Sequence, residues 1–137
     1  MGVTMKTLSH LTGGPAWAIF LLGLFNSVVI GQDSVRVAPK NVKVLLENNR
    51  VRVLEVRIKP GEKIPMHSHP AHITYALSDA KGQYTSPDGS STISEAKTNS
   101  VFWSEPVTHS SVNVGNTEIH AIVVELKDPP KKKPKAL

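Results

Sequence analysis

Gly61–Gly82 reads GEKIPMHSHPAHITYALSDAKG, and it decides how the rest of the chain is interpreted. Three of the six histidines of the protein lie within six consecutive residues of it, as His67, His69 and His72. His67 and His69 are two residues apart, so on an extended strand their side chains point to the same face. Imidazole is the commonest protein ligand for borderline transition metals. The stretch therefore predicts a chelating pair carried by a strand.

A fourth histidine, His109, follows in the segment EPVTHSSVNVGN. A barrel closes distant strands around one interior, so His109 can meet His67 and His69 although they are far apart in sequence. Three imidazoles on one side of a metal leave positions open for water, substrate or dioxygen. The pattern predicts one divalent transition metal, whose identity does not follow from ligand type alone. His72 stays open as a tentative fourth ligand or as a catalytic base.

The body of the chain has the pattern of short strands separated by turn residues. Strands are predicted where apolar residues alternate or cluster, at 42–46, 51–58, 73–77, 83–85, 92–96, 101–103, 111–114 and 117–126. A change of parity near Leu54 predicts a bulge or a twist. Ser86–Ser90 and Gly115–Asn116 are interpreted as hairpin turns. The recurrence of strand signals without a helical period predicts an all-β, antiparallel sandwich or barrel.

Both ends of the chain differ from its body. Lys6, an apolar run over Ala16–Ile30 and small residues at Val29 and Gly31 describe a signal peptide over residues 1–31. The run is shorter than the roughly 20 residues that span a bilayer, although an uncleaved membrane anchor stays open as the alternative. A periplasmic or secreted protein is predicted. Residues 32–40 are interpreted as a linker, 41–127 as the domain, and 128–137 as a disordered tail rich in proline and lysine.

Composition excludes several classes of function. The chain has no cysteine, so it has no disulfide, thiolate site or cysteine nucleophile. Its formal charge is +5, but residues 33–127 hold 11 Lys or Arg against 10 Asp or Glu, a difference of +1. The excess lies in Lys6 and the tail. A nearly neutral body with a short basic tail is not a nucleic-acid-binding surface, so no nucleic-acid partner is expected.

The stretch resembles the first motif of the cupins, a family of small double-stranded β-helix (jelly-roll) barrels. Gly61 is followed by five residues and then by His67-Ser68-His69, and Gly82 closes the motif. In the second motif, His109 is followed after three residues by Asn113, but the glycine that normally precedes the histidine is missing. The resemblance covers residues 41–127. It implies a single-domain jelly-roll barrel of the cupin_2 type with an interior site for one divalent transition metal, which in related sites is Fe, Mn, Zn, Ni or Cu.

One departure from the family pattern concerns the metal-binding glutamate. Ile73 or Thr74 occupies its place, and His72 is the nearest candidate substitute. A carboxylate from Glu105 is a weaker alternative. A neutral ligand set leaves the dication charge uncompensated, which favours an anionic ligand on the metal. The resemblance implies a metal-dependent enzyme of dioxygenase, isomerase or lyase type on a small organic substrate. A non-catalytic metal-binding, small-ligand-binding or interaction protein stays open as the alternative.

Three aromatic residues are predicted as tentative lining of a substrate pocket. Tyr75 and Tyr84 lie on strands whose inner faces would line the barrel, and Trp103 follows Val101 at strand spacing. A phenol there could donate a hydrogen bond to a small-molecule ligand. The family resemblance also suggests a homodimer formed through sheet edges, and the membrane is a partner only if residues 1–31 are not cleaved.

Overall fold

The computed structural model describes residues 32–128 as two five-stranded sheets that enclose one interior. The predicted signal peptide and all but the first residue of the predicted tail lie outside the described residues. The elements are β1 Gln32–Asp33, α1 Ser34–Val37, β2 Val42–Glu47, β3 Val51–Ile58, β4 Lys63–His69, β5 His72–Ala76, β6 Ala80–Thr85, β7 Ser91–Ala96, β8 Val101–Ser104, β9 Val107–Asn113 and β10 Ile119–Leu126. In this part of the chain no helix is both long and apolar enough to cross a bilayer.

From β3 onward, consecutive strands lie in opposite sheets, except for β6 and β7, which lie in the same sheet. One sheet has the order β1-β4-β9-β6-β7 and the other the order β2-β3-β10-β5-β8. All pairings are antiparallel except that of β1 with β4, which is parallel. The all-β antiparallel prediction is confirmed.

Turn chemistry predicted one hairpin correctly and another wrongly. β6 and β7 pair across a turn in which Gly89 has φ 86° and Asp88 accepts a hydrogen bond from the Ser90 amide. The predicted last hairpin across Gly115–Asn116 does not form, because β9 and β10 belong to different sheets. Alternation within each strand is a local property, whereas the choice of a partner strand depends on which face of the barrel the chain crosses to next.

The bulge predicted from the parity change at Leu54 lies on the neighbouring strand. Val44 pairs with Leu54 and Leu46 pairs with Val53, so Leu45 is the extra residue in β2. A bulge bends its strand and increases the local twist. It also keeps Leu54 facing inward, where it is fully buried.

The segment interpreted as a linker, residues 32–40, is instead part of the folded domain. β1 pairs with β4 so that Gln32 lies beside His67. Asp33 caps α1 by accepting a hydrogen bond from the Val35 amide, and it forms an ion pair with Arg52. Ser34 and Ala38 are buried. The segment closes the edge of the first sheet next to the histidine stretch.

The interior has two chemically different ends, which follow from the strand registers. Ile64 lies near the start of β4 and His69 at its end. Ile119 at the start of β10 pairs with Ile58, and Glu125 near its end pairs with His72. We call the first the aliphatic end, defined by Ile58, Ile64 and Ile119, and the second the histidine end, defined by His67, His69, His72, His109 and Glu125. The hydrophobic core includes the aliphatic end and continues through Ala38, Val42, Leu54 and Val123.

Candidate metal centre

The histidine end brings together three of the predicted ligands. β4 and β9 are in a register that pairs His67 directly with His109. The ring centroids are 4.7 Å apart for His67 and His109, and 4.8 Å apart for His67 and His69. One nitrogen from each of the three residues lies within 4.8 Å of the others. Three histidines separated in sequence therefore share one site, as the spacing predicted.

Hydrogen bonds fix the tautomers of two of these rings. The Nδ1 of His67 lies 2.7 Å from the carbonyl oxygen of Pro65, and the Nδ1 of His69 lies 2.6 Å from the Glu125 carboxylate. Both partners can only accept, so Nδ1 carries the proton in each ring. The Nε2 atom then keeps its lone pair, which is the form of histidine that binds a metal.

His109 has the most perturbed environment of the group. Its half-buried ring makes no hydrogen bond within residues 32–128. Burial, followed by the proximity of the other cluster imidazoles, lowers its pKa from 6.5 to about 3. Burial likewise lowers the pKa of His67. His67 and His109 are therefore neutral at neutral pH, and an unpartnered imidazole facing the other two rings fits a metal ion.

The sequence analysis missed Glu125, which lies behind His69. Its side chain is 1% exposed and accepts hydrogen bonds from His69 and from Arg52, each at 2.6 Å. Burial by itself would raise the pKa of Glu125, but these two hydrogen bonds lower it. Arg52 in turn pairs with Asp33 in the N-terminal segment. A carboxylate on the far nitrogen of a ligating histidine orients the ring and raises its basicity.

A signal for Glu125 was present in the strand pattern. Ile119, Ala121, Val123 and Glu125 have the same parity on β10, and all four are buried. A single charged residue on the inward face of an apolar strand needs a buried partner. Alternation places Glu125 inside the barrel, but it does not identify the partner.

His72 lies close to the centre but outside the group of three. Its ring centroid is 5.0 Å from that of His69, and its Nδ1 lies 2.8 Å from the carbonyl oxygen of Pro70. Burial lowers its pKa. His67 and His72 thus make the same local contact, because in each case Nδ1 is hydrogen-bonded to the carbonyl of a proline two residues earlier. His72 presents a neutral Nε2 beside the metal-binding group.

A cavity of about 590 Å³ lies in front of the histidines and extends to the aliphatic end. Its lining includes Tyr84 and Trp103, two of the three aromatic residues predicted there. Tyr75 does not line it: its hydroxyl donates to Asn99 at 2.7 Å. The reason is strand parity, because His72, Thr74 and Ala76 of β5 line the cavity and Tyr75 points the other way.

Tyr84 lies against His109, with ring centroids 5.3 Å apart. Its ring folds back over Gly82, where an added Cβ would be 2.7 Å from the Tyr84 hydroxyl oxygen. The glycine that closes the first motif is therefore needed to admit this ring. Burial raises the pKa of Tyr84, and its hydroxyl has no protein partner within the described residues.

Trp103 and Glu105 lie where the cavity opens. Trp103 is 54% exposed, and its indole donates to Glu105 at 2.8 Å. Glu105 lines the cavity but is absent from the group of potential metal ligands. The alternative in which Glu105 supplies a carboxylate ligand is therefore not supported.

Comparison with known proteins gives similarity in structure only. No protein-family model matches the sequence, and neither does any curated protein. A cupin domain from Bordetella pertussis Tohama I is 26% identical with a TM-score of 0.59, over 64% of this chain and 92% of that one. An RmlC-like cupin with a double-stranded β-helix fold from Methanocaldococcus jannaschii is 16% identical with a TM-score of 0.51, over 66% and 82%. A double-stranded β-helix protein from Klebsiella pneumoniae is 22% identical with a TM-score of 0.50, over 64% and 83%.

Proposed function

We propose that this chain, a cupin by fold as its sequence motifs predicted, is a periplasmic or secreted metalloenzyme acting on a small organic substrate. His67, His69 and His109 would hold one divalent transition metal. The observation that carries the proposal is the convergence of three imidazoles on one wall of a cavity large enough for a small molecule. When bound, such a metal supplies Lewis acidity or a site for dioxygen.

The residues around the cluster prepare it for a metal. Pro65 and Glu125 hold the protons of His67 and His69 on Nδ1, so their Nε2 lone pairs are available without rearrangement. The lowered pKa of His109 means that no proton has to be displaced from it at neutral pH. The protein contributes no anionic ligand from within this group, so the bound cation keeps its full charge towards the cavity.

His72 and Tyr84 supply the protein groups that can handle a proton in this cavity. His72 presents a neutral Nε2 that can accept a proton from a bound ligand. Tyr84 presents a protonated phenol that can donate a hydrogen bond, because burial raises its pKa. We assign His72 the role of general base and Tyr84 that of a hydrogen-bond donor to substrate.

A non-catalytic ligand-binding protein is the second candidate. It is favoured by the scarcity of acid and base groups: apart from histidines, Glu105 and Tyr84, the cavity is lined by apolar residues, serines, one threonine and one glycine. In that case the metal or the small ligand would be the cargo of the protein.

Metal content tests the shared premise of both candidates. We expect untagged full-length protein to be isolated with about one equivalent of a transition metal. His67→Ala, His69→Ala and His109→Ala should each lose most of it, because only two imidazoles remain. His120→Ala is the matched control, since the His120 ring is bonded to Glu55 instead. Full occupancy in the three cluster variants, or equal loss in His120→Ala, would overturn the proposal.

An exogenous anion separates the enzyme from the metal carrier. Azide added to cobalt-loaded protein should shift its visible spectrum if a coordination position is open to ligand. A spectrum that does not respond to azide indicates a saturated centre and favours the carrier. The same azide titration of His72→Ala tests whether His72 is the ligand that closes the coordination position. If it is, the spectrum of His72→Ala shifts with azide and that of the unmodified protein does not.

The location outside the cytoplasm rests on residues 1–31, which lie beyond the described part of the chain. N-terminal sequencing of protein recovered from the secreted or periplasmic fraction should begin near Gln32. Recovery of the intact N-terminus in the membrane fraction would indicate the anchor instead.

A further inference from the structure

We infer that the ligand of this cavity is a small organic monoanion with one metal-binding end and an apolar body, and that dianions are excluded. The inference rests on the proposed metal centre and adds the chemical class of its ligand. It follows from three features of the cavity, which are its charge, its two ends and its polar groups.

The first feature is the absence of a free cation. Among the described residues, no lysine or arginine lines the cavity. Arg52 lies behind His69, but its guanidinium is already bonded to Glu125 and Asp33. A metal held by neutral imidazoles attracts one anionic group. A second one would be buried without a counter-ion, which is strongly unfavourable.

The charge at the cavity opening acts in the same direction. Glu105 is the one carboxylate among the described lining residues, and it is held by Trp103. A ligand with a second negative group at its outer end would meet this carboxylate. Among the described residues, a second negative group on the ligand therefore has no partner, either inside the cavity or at its opening.

The second feature is the chemistry of the aliphatic end. Ile58, Ile64, Ile119 and Val123 line the same cavity as the histidines, and each belongs to the hydrophobic core. Ile64 shares β4 with His67 and His69, so the two ends are joined by a single strand. A ligand anchored at the histidines that extends in this direction contacts mainly aliphatic side chains. Apolar ligand surface placed there gains from removal from water.

The third feature is a neutral hydrogen-bond donor in the cavity, the phenol of Tyr84. The hydroxyl of Tyr84 has no protein partner within the described residues, and its ring lies against His109. A carboxylate or similar oxyanion has more lone pairs than a metal uses. The Tyr84 hydroxyl belongs to a side chain that lines the same cavity and can satisfy one of them, which favours an oxyanion over a purely nitrogenous ligand.

A series of carboxylates tests the inference on cobalt-loaded full-length protein. The probes are acetate, butyrate and hexanoate, with adipate as the dianion that matches hexanoate in carbon number. Binding is followed by the visible spectrum. We expect affinity to rise up to about four-fold per added methylene, from the free energy of burying a CH₂ group. Adipate should bind at least about ten-fold more weakly than hexanoate, because its second carboxylate has no partner.

Val123→Thr is the variant that addresses the aliphatic end. It keeps the side-chain shape and places a hydroxyl where the body of the ligand would lie. The ratio of hexanoate affinity to acetate affinity should fall towards one when the two are compared at equal metal content. Ile93→Thr, on the exposed strand β7, is the matched control and should alter nothing.

The outcomes separate the two proposals. Protein that does not take up metal through the histidine cluster overturns the proposed function and this inference together. Metal-loaded protein that responds to azide overturns this inference alone in either of two cases. One is an affinity that does not change from acetate to hexanoate, and the other is adipate binding as tightly as hexanoate.

Discussion

Glu125 at the histidine end and Asn113 at the aliphatic end are equally buried polar residues, but they have different roles. Glu125, at the histidine end, is bonded to two side chains, His69 and Arg52. Asn113, at the aliphatic end, is bonded to backbone alone. Its amide donates to the carbonyls of Ile58 and Thr117, and its oxygen accepts from the Gly115 amide. Both are 1% exposed.

The comparison distinguishes a residue that stabilises the fold from one that orients a side chain of the candidate metal site. Asn113 ties the end of β3 to the loop between β9 and β10, so its loss affects the path of the chain. Glu125 fixes the orientation of one ring, so its loss affects a ligand. Burial and hydrogen bonding alone do not distinguish the two residues, because both are buried and both have hydrogen-bond partners. The experiments below separate them by comparing the free energy of unfolding with metal affinity.

Asn113→Ala should have the largest effect on stability. It leaves two carbonyls and one amide of the backbone without their partner, and we expect a loss of about 2–4 kcal/mol in the free energy of unfolding. Urea denaturation of the metal-free protein measures this. Metal affinity of the folded fraction should not change. A loss below about 1 kcal/mol would contradict the structural role assigned to Asn113.

Acidification should destabilise the metal-free protein through the histidine end. Folding lowers the pKa of His109 from 6.5 to about 3, so between these values the unfolded chain binds a proton that the folded chain does not. The free energy of unfolding therefore falls as pH falls below about 6.5. This residue contributes about 1.4 kcal/mol per pH unit. Urea titrations across this range measure the slope.

His109→Gln isolates that contribution, because glutamine does not titrate. The slope of unfolding free energy against pH should decrease by roughly 1.4 kcal/mol per pH unit, which corresponds to one fewer proton taken up on unfolding. Asn113→Ala is the control at the other end of the barrel and should keep the original slope. An identical slope in His109→Gln would show that His109 is protonated in the folded protein.

Glu125→Gln should reduce metal affinity by about 10- to 100-fold. The amide keeps the shape of the side chain but removes the charge that raises the basicity of His69. Competition with a chromogenic chelator measures the affinity. Asn113→Ala is again the matched control, since it also removes a buried polar group but should bind metal normally. Equal losses of affinity in both variants would show that metal binding depends only on overall stability.

Ser34→Ala should have the smallest effect. The Ser34 hydroxyl is buried without a hydrogen-bond partner among the described residues. Its removal relieves an unsatisfied polar group at almost constant volume. We expect the unfolding free energy to change by less than about 1 kcal/mol, in the stabilising direction. A clear destabilisation in thermal unfolding would mean that the hydroxyl has a partner in solution.

The sequence alone determined the fold class and the core of the candidate site. Alternation and turn residues predicted strands, and the spacing of His67 and His69 placed both rings on one face of a strand. Closure of a barrel was expected to bring His109 to them, and the register between β4 and β9 places it opposite His67. These features depend on strand periodicity, which is a property of neighbouring residues and can be read from the chain.

Tertiary structure decided which residues meet across the barrel. It separated β9 from β10, turned Tyr75 outward and brought the segment of residues 32–40 into the fold. It left His72 outside the group of three and placed Glu125 behind His69. The link from Glu125 to His69 joins residues 56 positions apart in different sheets, and no local pattern encodes it. Periodicity tells which face a side chain occupies, but only the closure of the two sheets decides what it faces.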